Sequence, residues 1–124
     1  MAHIYAFERL KVWQQSIALV KRIYQCTRNF PKEERFGLTS QIRRSSLGIP
    51  TNIAEGVSRK TQKDQAHFST IAYGSLTETM NLLIVAKELN FIDSSDYDQC
   101  RQQIEETSFL LNNLRKSQLK VEGG

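Results

Sequence analysis

Proline is scarce in this chain of 124 residues: Pro31 and Pro50 are its only two. Histidine and cysteine are as rare, with His3, His67, Cys26 and Cys100. The longest unbroken apolar run is Leu82–Ala86, far short of the ~18 residues that a membrane span requires. No stretch alternates apolar and polar residues with period two, so nothing argues for strands. No charged n-region leads into an apolar h-region, so no mark for export is read and a cytoplasmic protein without a membrane role is expected. Cys26 and Cys100 lie seventy-four positions apart, and in that setting they are expected as reduced, buried thiols. Neither histidine has a second ligand at metal spacing, and there is no Cys-x-x-Cys, P-loop or nucleophile elbow. An enzyme, a metal and a cofactor are all unexpected, and His67 beside Phe68 reads as a surface or packing residue.

What is present suits one small domain. Hydrophobic residues make up 40% and charged residues 24%, which excludes a disordered or collagen-like chain. A domain of this length buries roughly two-thirds of its unfolded surface and needs no metal or disulfide staple. Residues 1–124 are expected as one domain, with frayed ends at about 1–5 and 118–124.

Helical periodicity dominates. From Phe7 to Arg28 there is no Gly or Pro, and Trp13, Ile17, Val20 and Tyr24 recur at spacings of four, three and four, a stripe on one helical face that Leu10 and Thr27 extend. Pro31 suits the first turn of a second helix, with Glu33 and Glu34 at its positive end. Within that segment, Leu38, Ile42, Ile49 and Ile53 keep helical phase across Pro50, which predicts one helix to about Arg59, kinked at the proline. Thr61-Gln-Lys-Asp64 reads as a capping box. The third helix then runs to about Asn90 with a stripe of Phe68, Ile71/Ala72, Leu76, Leu83, Ala86 and Leu89/Asn90. Its many small residues, Gly74 among them, suggest close approach of a neighbouring helix. Asp93-Ser-Ser-Asp96 caps a fourth helix, whose stripe is Tyr97, Cys100, Ile104, Thr107, Leu111 and Leu114. Four amphipathic helices with short connections predict an all-α fold, an antiparallel up-down four-helix bundle.

Two polar features stand out. On the second helix Gln41, Ser45, Gly48, Asn52, Glu55 and Arg59 align as a seam beside the apolar stripe. Gly, Ser and Asn are mediocre helix formers, so the seam points to a packed polar contact, either between subunits or with another helix of the bundle. Glu55 and Arg59 at i and i+4 read as a helix ion pair, and Glu78 is placed to approach them across the bundle. Charge is the second feature. Residues 1–63 hold twelve basic and four acidic side chains, a net of +8, whereas residues 64–124 hold five and nine, a net of −4. Either the first half presents a basic surface to phosphates, or the two halves neutralise each other within or between subunits.

The run Gln41-Ile-Arg-Arg-Ser-Ser-Leu-Gly-Ile-Pro-Thr-Asn-Ile-Ala-Glu-Gly56, followed by Arg59, resembles the signature of the bacterial four-helix-bundle proteins called 23S rRNA-intervening-sequence proteins. Phe7-Glu-Arg-Leu-Lys-Val-Trp13, Phe30-Pro31 with Glu34 and Phe36-Gly-Leu38, and Ala72-Tyr-Gly-Ser-Leu-Thr-Glu78 extend the likeness over about residues 4–115. The resemblance implies a four-helix bundle that assembles into a ring of five subunits. It also extends to the accessory proteins of diversity-generating retroelements, basic pentamers that bind nucleic acid and a reverse transcriptase. Members are small helical proteins, some encoded inside insertions in the large-subunit rRNA gene, and the family name describes that location and no activity.

Nucleic-acid binding, RNA or DNA, is the leading expectation. Arg43 and Arg44 near the start of the second helix, with Arg59, Lys60 and Lys63 at its end, bracket it by about four turns. A ring repeats that patch, and phosphate affinity grows with the charges engaged. No RNA-recognition motif, stacking aromatic array or zinc finger is read that would specify bases. The competing expectation is a scaffold or accessory subunit that recruits a partner protein, its charge asymmetry serving orientation.

Overall fold

A computed structural model describes residues 2–123 of the chain, and side chains through residue 119. The fold is all-α. Its four helices are α1 (Lys11–Thr27), α2 (Leu38–Val57), α3 (Gln62–Glu88) and α4 (Ser94–Gly123). Each helix packs on the next and α4 closes back on α1. The connections between α2 and α3 and between α3 and α4 are too short for anything but antiparallel neighbours. One shared core lies between them, built from Leu19 and Ile23, from Ile42, Ile49 and Ile53, from Ala72, Leu76 and Leu83, and from Cys100, Ile104 and Leu111.

Local chemistry sets the boundaries. A short 3-10 turn, Ala6–Arg9, precedes α1; Glu8 Oε2 accepts the Tyr5 N–H at 2.7 Å, and Leu10 is extended. The single helix expected from Phe7 is therefore broken at Leu10. The second helix likewise starts later than expected. Lys32–Glu34 form a separate 3-10 turn, and α2 begins only at Leu38. From there it continues without interruption through Pro50 to Val57, as its phased isoleucines require; the bend expected at Pro50 stands as an expectation beside that continuity. Thr61 Oγ1 accepts the Asp64 N–H at 3.1 Å at the start of α3. Asn90, at φ 61°, ends that helix. The Phe91 N–H then reaches the Ala86 carbonyl and the Asn90 N–H the Lys87 carbonyl, the paired bonds of a Schellman stop. Asp93 Oδ1 caps α4 through the Asp96 N–H at 2.8 Å.

The core stripe of α4 is the expected one, with Cys100, Ile104, Thr107 and Leu111 buried and Tyr97 and Leu114 packed against them. In α1 the expected stripe is wrong by one position. Val12, Ser16, Leu19, Ile23 and Cys26 are buried, while Trp13, Ile17, Val20 and Tyr24 are only half-buried. Both sets recur with the same period, and the polar Ser16 interrupts the true one. Its hydroxyl is satisfied internally by donating to the Trp13 carbonyl at 2.6 Å. In α3, Ala72, Leu76, Leu83 and Ala86 are buried as expected, but Ile71 and Leu89 are exposed and Phe68 only half-buried.

The closest-knit pair is α2 with α3. A Cβ on Gly48 would lie 2.7 Å from Ser75 Oγ and 3.3 Å from Ser75 Cβ, so glycine leaves room for α3 at this point. Three residues before it, Ser45 and Thr79 share a hydroxyl hydrogen bond of 2.8 Å. Gly74, expected to serve the same close approach, faces open space. At the far end of α4, Gln118 is buried and accepts the Ser69 hydroxyl at 2.7 Å. Of the fraying expected at about 118–124, the side chains 120–124 lie outside the described ones.

Candidate nucleic-acid interface

The segment joining α1 to α2 is held at both ends. Phe30 is buried against Phe91, ring centroids 6.0 Å apart. Glu34 Oε1 accepts the Leu38 N–H at 3.1 Å, a side-chain cap on a helix whose own first residue offers none. Gly37 leaves room for that carboxylate, since a Cβ there would sit 2.9 Å from it. Fixing these points turns Arg35 and Phe36 outward. Phe36 is 89% exposed, and the Arg35 guanidinium lies 5.2 Å from its ring centre.

Arg43 comes to the same place from α2. Its Nε donates to Thr27 Oγ1 at 2.8 Å, and its guanidinium lies over the Tyr24 ring at 4.6 Å. Arg44 beside it is exposed and makes no side-chain hydrogen bond among the described residues. Together Arg35, Phe36, Arg43, Arg44, Tyr24 and Leu47 border a concavity of about 390 Å³. Three arginines thus line one shallow basin, Arg43 pinned and Arg35 and Arg44 exposed.

The other predicted basic residues lie at the opposite end of α2, roughly 20 Å away at 1.5 Å per residue. Arg59 stands just past the helix end, its guanidinium 4.4 Å from the Phe68 ring centre. Lys60 and Lys63 are exposed in the connection and first turn of α3. The structure therefore brings Arg43 and Arg44 together with Arg35, and keeps Arg59, Lys60 and Lys63 as a second cluster.

The polar seam divides. Ser45 and Gly48 face α3, and the Asn52 amide donates to the Gly48 carbonyl at 2.8 Å. Gln41 and Glu55 are exposed. The expected Glu55–Arg59 pair is absent, because α2 ends at Val57 and carries Arg59 out of helical register onto Phe68. Glu78 is exposed and makes no contact with them. Among the described residues the ion pair formed is Arg101–Glu105, both on α4, at 3.2 Å. Among the described residues no basic side chain of the first half forms an ion pair with an acid of the second.

Arg35 is not among the basic residues that the sequence points to, and Phe36 figures there only in the family likeness. The available signal was an Arg-Phe-Gly triplet eight residues before Arg43-Arg44, a turn that projects both side chains. Elsewhere, every buried side-chain N or O atom among the described residues has a partner. No group of three or more metal-ligating side chains is found among them, and no described helix is long and apolar enough to cross a membrane.

A four-helix bundle with a basic end formed by α1, α2 and their connection is the class these features define. Residues 8–113 match the family described as 23S rRNA-intervening sequence protein, and the chain belongs to that family. It is similar to a Bacteroides thetaiotaomicron protein of unknown function from the S23 ribosomal protein family, solved by crystallography at 1.70 Å. The TM-score is 0.76 and the identity 25%, over 85% of this chain and 98% of that one. No curated protein matches the chain.

Proposed function

We propose that this protein is a non-enzymatic, cytoplasmic subunit of a five-membered homo-oligomeric ring that binds nucleic acid through its phosphate backbone. The observation that carries the reading is that Arg35, Arg43 and Arg44 line one concavity, with no ion-pair partner among the described residues. A guanidinium offers a planar fork of donors that matches phosphate oxygens bidentately. Arg43 is pre-set by Thr27 and Tyr24, which lowers the ordering entropy it loses on binding. The exposed ring of Phe36 adds a face on which an unpaired base stacks without sequence preference. Phosphate contacts orient and hold; they do not read sequence. Repetition around a ring multiplies the contacts of one subunit.

Assembly in this reading uses the apolar strip that α1 leaves half-covered. Trp13 and Ile17 with Leu47, Pro50 and Ala54 of α2 line a groove of about 390 Å³, and Leu47 is 43% exposed. The same groove supports the second reading, a scaffold that docks a partner protein there and touches no nucleic acid.

The test is anisotropy of labelled structured RNA and duplex DNA with nuclease-treated protein. Replacing Arg43, Arg44, Arg59 and Lys60 by Ala is expected to abolish binding, and Arg35→Ala alone to weaken it. Full affinity in the fourfold variant contradicts the residue assignment.

A further inference from the structure

Cys26 and Cys100 are seventy-four residues apart in the chain, yet their Sγ atoms lie 3.3 Å from each other in the core, and both are free thiols. Cys26 is in the last turn of α1 and Cys100 in the second turn of α4. The backbones that carry them are clamped at this level. Arg22, one turn before Cys26, donates from Nε to Gln103 Oε1 and from Nη1 to Gln99 Oε1, each at 2.9 Å. Gln99 and Gln103 flank Cys100, so the approach of the two sulfurs is built into the α1–α4 contact. The bonded separation is about 2.05 Å, so the two sulfurs need to approach by little more than about 1 Å.

The two thiols are unequal. Cys100 is fully buried and Cys26 is 7% exposed. The hydrogen bond from Cys100 holds Cys26 below the ordinary thiol range against the opposing effect of burial, and Arg22 contributes in the same direction. That bond, with burial, pushes Cys100 up, so it stays a neutral thiol. The turn that leaves Cys26 is weakly held: the Arg28 N–H to Gln25 and Asn29 N–H to Cys26 hydrogen bonds are both 3.4 Å, longer than an ordinary amide bond. Cys26 thus keeps a small exposure to solvent beside a weakly held turn.

We propose that Cys26 and Cys100 form an oxidation site at which hydrogen peroxide converts the thiol pair to an intramolecular disulfide that staples α1 to α4. In the first step the Cys26 thiolate sulfur attacks a peroxide oxygen. An S–O bond forms, the O–O bond breaks, and hydroxide leaves and takes a proton as water. In the second step the Cys100 sulfur attacks the Cys26 sulfenic acid. The S–S bond forms, the S–O bond breaks, and the hydroxyl leaves with the Cys100 proton as a second water. Two electrons pass from the sulfurs to the peroxide, and the closed loop joins the first helix to the last.

The experiment uses the full reduced chain, folded, treated with hydrogen peroxide and then denatured in excess alkylating agent. The expected result is an intact mass lower by two hydrogens with neither thiol alkylated, and a linked peptide containing Cys26 and Cys100. Cys100→Ser, with its fold checked by circular dichroism, is expected to trap a dimedone adduct on Cys26. Cys26→Ser is expected to leave Cys100 unlabelled. Two alkylated thiols in the treated wild type, sulfinic or sulfonic products, or a disulfide between chains overturns the proposal. The wild-type mass and linked peptide decide the matter even where a serine variant does not fold.

Discussion

Arg43 of α2 is tied to Thr27 of α1 by a 2.8 Å hydrogen bond from its guanidinium Nε to the threonine hydroxyl. The hydroxyl itself donates to the Ile23 carbonyl at 2.8 Å, and Arg43 Nη2 lies 3.4 Å from the Tyr24 carbonyl, at the C-terminal end of α1 where a positive charge is favoured. One residue thus braces two helices and presents charge at the same spot.

That double role separates Arg43 from its neighbour. Arg43→Ala is expected to destabilise the fold by about 1.5–3 kcal/mol, the usual range for a hydrogen bond to a charged group, and to weaken nucleic-acid binding as well. Arg44→Ala is expected to change stability by no more than about 0.5 kcal/mol, as at an ordinary exposed site, while still weakening binding. Urea unfolding beside anisotropy for the two variants checks both. Equal stability losses contradict the bracing role.

Glu34 and Gly37 form a second testable unit. Removing the side-chain cap with Glu34→Ala is expected to cost about 1 kcal/mol. Gly37→Ala displaces the same carboxylate, so its cost is expected to shrink when Glu34 is already alanine. Unfolding free energies of the two single variants and the double variant close the cycle. Strict additivity contradicts the account of why glycine stands there.

Assembly is checked by light scattering. The expected mass is five times the 14.3 kDa subunit, and Leu47→Asp, which places a charge in the α1–α2 groove, is expected to reduce it to the monomer. A wild-type monomer contradicts the ring. An intact Leu47→Asp ring moves the subunit contact to another face.

The legibility of this chain depends on how many faces each helix offers. α4 carries a single apolar stripe, and Cys100, Ile104, Thr107 and Leu111 are identified from spacing alone. α1 carries two stripes one residue apart, and the larger side chains of Trp13 and Tyr24 make the half-buried one look more apolar than that of Val12, Ser16, Leu19 and Ile23. Glu55 and Arg59 are placed to pair only on a helix that continues past Val57. Arg35 and Phe36 lie in a turn, where periodicity has no purchase. The meeting of Cys26 with Cys100 is a tertiary fact; spacing along the chain carries no trace of it.

The central claim is that this basic end holds phosphates, and salt response tests it most directly. Affinity for duplex DNA is measured by anisotropy across a series of salt concentrations. On the present account log affinity falls linearly with log salt, with a slope of roughly 0.9 for each phosphate engaged, and the Arg35, Arg43 and Arg44 variants have shallower slopes. Absence of binding at low salt, or binding that salt leaves unchanged, contradicts it.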